Sequence, residues 1–243
     1  KDKGAFYTPK EIVHYMCQES LKEYLKTQLE AKGVWPNTDD QAAELEQALE
    51  AFIKRKEGGG VIDYDDILAT ALRDVKICDP AIGSGAFPMG LLTEIFRCIF
   101  VLYHASQDVV GDIWCMDSWQ PETVKKNIIQ NSIYGVDIER GAVDIARLRF
   151  WLSLIVDEPE PHALPNLDYK IVVGNSLVSK LEDDIINIDW EVKSGIQANA
   201  FGIANVERRK VLLQAISSKQ KVYFDPTCDK ETIGHEIRDL KID

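Results

Sequence analysis

An α/β fold with a partial parallel sheet, preceded by a helical region, is what this sequence predicts, and three observations predict it. Residues 1–73 carry apolar side chains at the 3.6-residue spacing of amphipathic helices. From Val75 onward, short apolar runs alternate with helical stretches, the order that builds parallel βαβ units with right-handed crossovers. Each of the three runs ends in polar or glycine-rich residues, Asp79 to Gly85, Asp137, and Gly174-Asn175-Ser176. Open α/β sheets bind their ligands at such strand ends.

The elements follow in order. Thr8 to about Ala31 reads as a helix, with Thr8 as N-cap, Pro9 at the first helical position and Glu11 three residues after the cap. Ile12, Val13, Tyr15, Met16, Leu21, Tyr24 and Leu25 carry its period. A second helix spans Asp39 to Lys56 and ends at Gly58-Gly59-Gly60; a third, short one spans Asp63 to Arg73, capped by Asp63. Val75 to Cys78 is the first strand, and a helix from about Pro88 to Tyr103 follows its loop. Ala105 to Gln120 reads as an irregular insertion, Pro121 to Gln130 as helix and Ser132 to Asp137 as the second strand. Glu139 to about Val156 is an apolar helix; a proline-rich loop over 158–165 leads to the third strand, Tyr169 to Val173. A polar loop, a helix at about Val206 to Ser218 and another at Lys230 to Leu240 complete the chain. The expected division is 1–73 as N-terminal helices, 74–180 as the α/β core and 181–243 as a helical insertion.

Composition bounds the function. The formal net charge of −12 argues against this segment alone wrapping a nucleic acid, because phosphate neutralisation needs clustered Lys and Arg. No stretch approaches the ~20 apolar residues that span a bilayer, and Lys1-Asp2-Lys3-Gly4 lacks the apolar core of a signal peptide. A cytoplasmic protein without membrane partners is expected. Five cysteines and four histidines are scattered without a C-x-x-C pair, which disfavours a disulfide framework, and no metal site is expected.

The strand ends carry the chemistry. Asp79-Pro80-Ala81-Ile82-Gly83-Ser84-Gly85-Ala86-Phe87 is a strand end, a Gly-x-Gly turn and a helix start. Glycines there permit φ > 0 and close approach of backbone to a ligand. Pro88 occupies the third position after Gly85, so the dinucleotide fingerprint is incomplete and a pyrophosphate ligand loses weight. A carboxylate at Asp79 suits a cationic group such as an α-ammonium. Asp137, ending Tyr134-Gly135-Val136-Asp137-Ile138, can accept from both hydroxyls of a ribose, or serve as a helix N-cap. It stands 52 positions after Gly85, so the unit between them carries an insertion. Asn175 or Ser176 can meet an adenine edge, or simply make a turn.

Together, Gly4-Ala5-Phe6-Tyr7-Thr8-Pro9, Asp79 to Phe87, Tyr134 to Ile138 and Gly174-Asn175-Ser176-Leu177 resemble, in order, the adenine-N6 DNA methyltransferases of restriction-modification systems, and within them the Eco57I-like type IIG (IIS) enzymes. The resemblance covers roughly residues 4–180. It implies a Rossmann-like S-adenosyl-L-methionine-dependent methyltransferase fold. Tyr7, Thr8 and Pro9 would pack on the methionine moiety, with Thr8 near its carboxylate. Asp79, Pro80, Ala81, Gly83, Ser84, Gly85 and Phe87 would form the loop around methionine and sulfonium. Asp137 would hold the ribose, Ile138 would lie against the adenine ring, and Asn175 with Ser176 would read the adenine amino group.

In that family an Asn/Asp-Pro-Pro-Tyr/Phe tetrapeptide on the fourth strand receives the flipped base. None of the nine prolines here is adjacent to another, so the tetrapeptide is absent and no catalytic residue is assigned. With three strands, Val75 to Cys78 would be a bare apolar edge. The expectation is therefore a segment of a longer chain that would contact double-stranded DNA through other regions, with a nuclease and a target-recognition domain in the same polypeptide. A methyltransferase acting on RNA, protein or a small molecule, or a non-catalytic module, are the alternatives.

Overall fold

The computed structural model describes residues 8–156 and 169–177, with Leu167, residues 180–181 and 184–185, Ala215, Ser218 and Glu236. Chain contacts divide the protein into two compact units, Lys1–His162 with Lys170–Gly174, and Ala163–Tyr169 with Asn175–Asp243.

In the first unit, α1 (Lys10–Ala31) buries Val13, Cys17, Leu21, Leu25 and Leu29, one residue every fourth position. That stripe packs against α3 and α4. The expected cap is corrected: Pro9, with φ −54° and ψ 144°, is the N-cap, and no side chain caps the helix. The helix begins one position later than expected because Pro9 lacks helical ψ. The second predicted helix is α2 (Asp39–Glu50), which widens into a π-helical turn at Ala51–Arg55. It stops at Lys56, left-handed at φ 61°, two residues before the glycines. A 3-10 turn at Ile62–Tyr64 leads into α3 (Asp65–Asp74). Asp63 therefore lies in that turn, and Tyr64, not Asp63, is the N-cap, without a side-chain hydrogen bond.

Strands β1 (Ile77–Asp79), β2 (Ile133–Asp137) and β3 (Ile171–Val173) form a parallel sheet in the order β1-β2-β3. Asp79 pairs with Gly135, and Asp137 with Val173, so the acid-bearing ends of β1 and β2 lie at one end of the sheet. Among the described residues β1 is an edge strand, with Cys78 exposed. Val75, expected in the first strand, is instead the C-cap of α3, buried with its N–H bonded to Ala71 O.

The apolar helix α4 (Ala86–Ala105) packs against α1, α3, α6 and α7 and against α5 (Gln107–Trp114). The helices α6 (Pro121–Asn131) and α7 (Arg140–Ile155) lie close to their expected bounds. The stretch expected to be irregular holds α5, whose Trp114 is 2% exposed and donates through Nε1 to Ala69 O at 3.3 Å. Docking on α3 supplies what an eight-residue helix cannot supply alone. The expectation about apolar length is also corrected: α4, 20 residues at mean hydropathy 1.5, is long and apolar enough to cross a membrane. Here Leu92, Ile95, Cys98, Ile99 and Leu102 are at most 2% exposed, in the protein core.

In the second unit, β4 (Lys180–Leu181) and β5 (Asp184–Ile185) form an antiparallel pair where a polar loop was expected. The helices expected at 206–218 and 230–240 lie outside the described residues, apart from Ala215, Ser218 and Glu236, each of which is helical.

Candidate functional site

The loop after β1 is built from backbone outward. Asp79 Oδ1 accepts the Ala81 N–H at 3.0 Å, which turns the chain at Pro80. The Ile82 N–H donates to Val136 O at 3.0 Å and the Gly85 N–H to Ile82 O at 2.8 Å, so the loop is tied to β2 and closed on itself. Ile82, 3% exposed, lies directly over Gly135. A Cβ on Gly135 would stand 2.2 Å from Ile82 Cδ1 and 3.0 Å from its Cβ and Cγ1, so the strand needs glycine at that point.

Gly83 (φ 53°) and Gly85 (φ 82°) are both left-handed, and they serve different ends. A Cβ on Gly83 would meet nothing within 4 Å, so this backbone faces open space. A Cβ on Gly85 would come 3.3 Å from Ala146 Cβ, so this glycine seats the start of α4 on α7.

Asp137 closes the other side. Its Oδ2 accepts the Gly83 N–H at 2.8 Å and its Oδ1 the Glu139 N–H at 2.9 Å, while its own carbonyl accepts the Gly174 N–H at 2.9 Å. The carboxylate thus joins the glycine loop to the start of α7, whose N-cap is Glu139. A carboxylate has about four acceptor positions, so each oxygen retains capacity for a ligand hydroxyl. Ile138 beside it is 72% exposed, an apolar side chain available to a flat ligand.

A groove of about 480 Å³ runs between α1 and α4, lined by Thr8, Lys10, His14, Ser84, Arg97 and Arg149 among others. Its wall contains Glu94, 1% exposed. Lys56 Nζ donates to Glu94 Oε2 at 2.7 Å and Gln18 Nε2 to the same oxygen at 3.3 Å, while His14 Nδ1 lies 3.2 Å and Arg97 Nη1 3.6 Å from Oε1. Beside this cluster, burial pushes the Cys98 thiol up to about 12. Burial, helped by the Glu94 charge, pushes Cys17 up to about 11. Both thiols are therefore protonated at neutral pH and unsuited to nucleophilic or ligating roles. Arg149, on α7, donates through Nη1 to Ser84 O at 2.9 Å and reaches Ser84 Oγ at 3.4 Å.

The structure brings Asp79, Pro80, Ala81, Gly83, Ser84, Gly85, Phe87, Asp137 and Ile138 into the first unit's loop cluster. Thr8 lines the groove that Ser84 also lines, and Pro9 starts α1. Tyr7 lies outside the described residues. Asn175 and Ser176 belong to the second unit, where Asn175 Oδ1 accepts the Leu177 N–H at 3.0 Å in its own turn. Sequence reasoning missed Ile82 as the anchor of the loop, Arg149 and the Glu94 cluster. Only Glu94 left a trace, as an acid inside an apolar helix. Among the described residues no group of His, Cys, Asp or Glu is placed to hold a metal ion.

No family model matches the chain, and no solved structure matches it. Over 232 residues it is 30% identical to a protein of Methanocaldococcus jannaschii whose name makes it a candidate type II restriction enzyme and methyltransferase. The match covers 88% of this chain and 18% of that protein, so the chain spans under a fifth of its relative's length. By sequence, then, this α/β segment is related to a methyltransferase of the restriction-modification kind.

Proposed function

We propose that the chain is the S-adenosyl-L-methionine-binding part of a site-specific DNA adenine-N6 methyltransferase with a Rossmann-like fold, within a bifunctional Eco57I-like type IIG (IIS) restriction-modification enzyme. One observation carries the reading: Asp137 at the end of β2 reaches Gly83 in the loop after β1, at 2.8 Å. A ribose-binding acid and a methionine-binding glycine loop need to be held together in this way at adjacent parallel strand ends.

The residues fit the cofactor on structural grounds. Gly83 presents backbone to open space, Asp137 has acceptor capacity left for two ribose hydroxyls, and Ile138 offers an exposed apolar surface for adenine. Thr8 and Ser84 share a groove with cationic side chains suited to the amino-acid end. When bound, S-adenosyl-L-methionine supplies an electrophilic methyl group on a sulfonium. The chain's own residues bind and orient it. The groups that receive the target base, the double-stranded DNA contacts, the nuclease and the target-recognition domain belong to other regions of the polypeptide.

Titration calorimetry of this chain with S-adenosyl-L-methionine tests the reading. Asp137→Ala is expected to weaken binding by ~1–3 kcal/mol, the scale of polar groups left unpaired. Unchanged affinity would remove Asp137 from the site. The chain alone is expected to transfer no tritiated methyl to DNA, because it lacks the base-binding tetrapeptide. Transfer by the isolated chain would overturn the assignment of the chemistry to other regions.

A further inference from the structure

The geometry points to Arg149 as the side chain that takes the carboxylate of the cofactor's amino-acid end in the groove between α1 and α4; this rests on the function proposed above. The groove is lined by Lys10, His14, Arg97 and Arg149, and among the described residues its one acid is Glu94. Lys56, which does not line the groove, already holds Glu94 at 2.7 Å. The groove therefore carries surplus positive charge in a chain whose net charge is −12. An anionic or zwitterionic ligand fits such a lining.

Among these basic side chains, Arg149 is the one bonded to the glycine loop, through Ser84 O at 2.9 Å. A guanidinium has five N–H donors in a planar fork, so this contact leaves donors free for a carboxylate. The arginine is also well anchored. Gly85 allows α7 to approach the loop, since a Cβ there would stand 3.3 Å from Ala146 Cβ, and the fully buried Phe150 is next to Arg149 in the chain. Arg97 lies eleven positions beyond Ala86 on α4. At ~1.5 Å per residue that is roughly 16 Å along the helix, and the Arg97 guanidinium is turned to Glu94 Oε1 at 3.6 Å. Ser84 adds a hydroxyl beside Arg149, at 3.4 Å from its Nη1, and Thr8 lines the same groove.

The test compares two ligands that share the nucleoside and differ at the amino acid: S-adenosylhomocysteine and 5′-methylthioadenosine. Calorimetry with the full chain is run on wild type, Arg149→Gln, Arg149→Lys and Arg97→Gln, each checked for folding by circular dichroism. Arg149→Gln is expected to weaken S-adenosylhomocysteine about 10- to 100-fold, the scale of a charged hydrogen bond. It should leave 5′-methylthioadenosine within about twofold, and Arg149→Lys should restore part of the loss. Arg97→Gln should leave the ratio of the two affinities unchanged. Equal weakening of both ligands by Arg149→Gln would make Arg149 a support of the loop only and overturn the inference. So would no weakening, or a selective loss in Arg97→Gln instead. Those results leave the cofactor reading standing; wild type binding neither ligand sinks the cofactor reading itself, and this inference with it.

Discussion

Replacing Gly135 by alanine probes how the sheet sets the glycine loop. The new methyl would lie 2.2 Å from Ile82 Cδ1 and 3.0 Å from Ile82 Cβ and Cγ1. The Cδ1 atom can swing away by a rotamer change. Cγ1 also turns about χ1, but Cβ is fixed to the loop backbone and moves only with it. Strand β2 is held on one side by β1 and on the other by β3, so the loop is the part that yields. Overpacking of this kind costs ~1–3 kcal/mol. At roughly 2–4 °C per kcal/mol for a chain of this size, Tm should fall by about 2–12 °C. The Ile82–Val136 and Gly83–Asp137 hydrogen bonds should weaken with it, and ligand affinity should drop in parallel. Urea denaturation followed by circular dichroism measures the first effect. Ile82→Val removes Cδ1 and should cost ~0.5–1.5 kcal/mol alone. In the Gly135→Ala background that cost should shrink, giving a coupling of about 1 kcal/mol. A Gly135→Ala chain within about 0.5 kcal/mol of wild type, with strictly additive double-mutant behaviour, would refute the packing argument.

Other perturbations test the surroundings of the site. Lys56→Met leaves Glu94 buried with His14, Gln18 and Arg97 as its partners among the described residues, and denaturation should show a loss of about 2–3 kcal/mol, much of it recovered in Lys56→Met/Glu94→Gln. Burial, with the Lys76 charge adding, lowers Lys170 to about 8, while its ammonium stands 3.7 Å from the Tyr134 ring centroid. Because that value lies below the unfolded one, the unfolded chain holds the extra proton from about pH 8 to about pH 10.4, and stability rises with pH across that window. Lys170→Met should therefore be more stable than wild type at pH 7 and lose that advantage by about pH 10.4, read from paired melts; a constant difference would refute the shift. Thiol labelling at neutral pH should modify the exposed Cys78 and Cys115 quickly and spare Cys17 and Cys98 until the chain is denatured.

Much of the fold was legible because its signals are local. The helix stripe at Val13, Cys17, Leu21 and Leu25, and apolar runs closing in Asp79 and Asp137, are patterns within a few residues of each other. They located α1, α4, α6, α7 and the three parallel strands to within a few positions. Helix α5 escaped because eight residues are too few to display a period, and its helix rests on Trp114 docking under α3. The second helix was expected to end at Lys56 and does so, though by way of a π-helical turn at Ala51–Arg55 that carries no local signal. Lys56 takes a left-handed conformation ahead of the three glycines, with its ammonium bound to Glu94.

The candidate site divides along the same line. The sequence by itself determined which residues stand at strand ends: Asp79, Gly83, Gly85 and Asp137 follow from where each apolar run stops and polar residues begin. It also determined that the base-binding tetrapeptide is absent. Only the tertiary structure decided what those residues touch. Asp137 meets Gly83 across 54 positions, Arg149 meets Ser84 across 65 and Lys56 meets Glu94 across 38. The physical reason is that a strand end is a property of the local chain, whereas a hydrogen bond between distant residues depends on how closely helices and strands approach. Here that approach is set by side chains that are missing as much as by those present: no Cβ at Gly135 beneath Ile82, and none at Gly85 against Ala146.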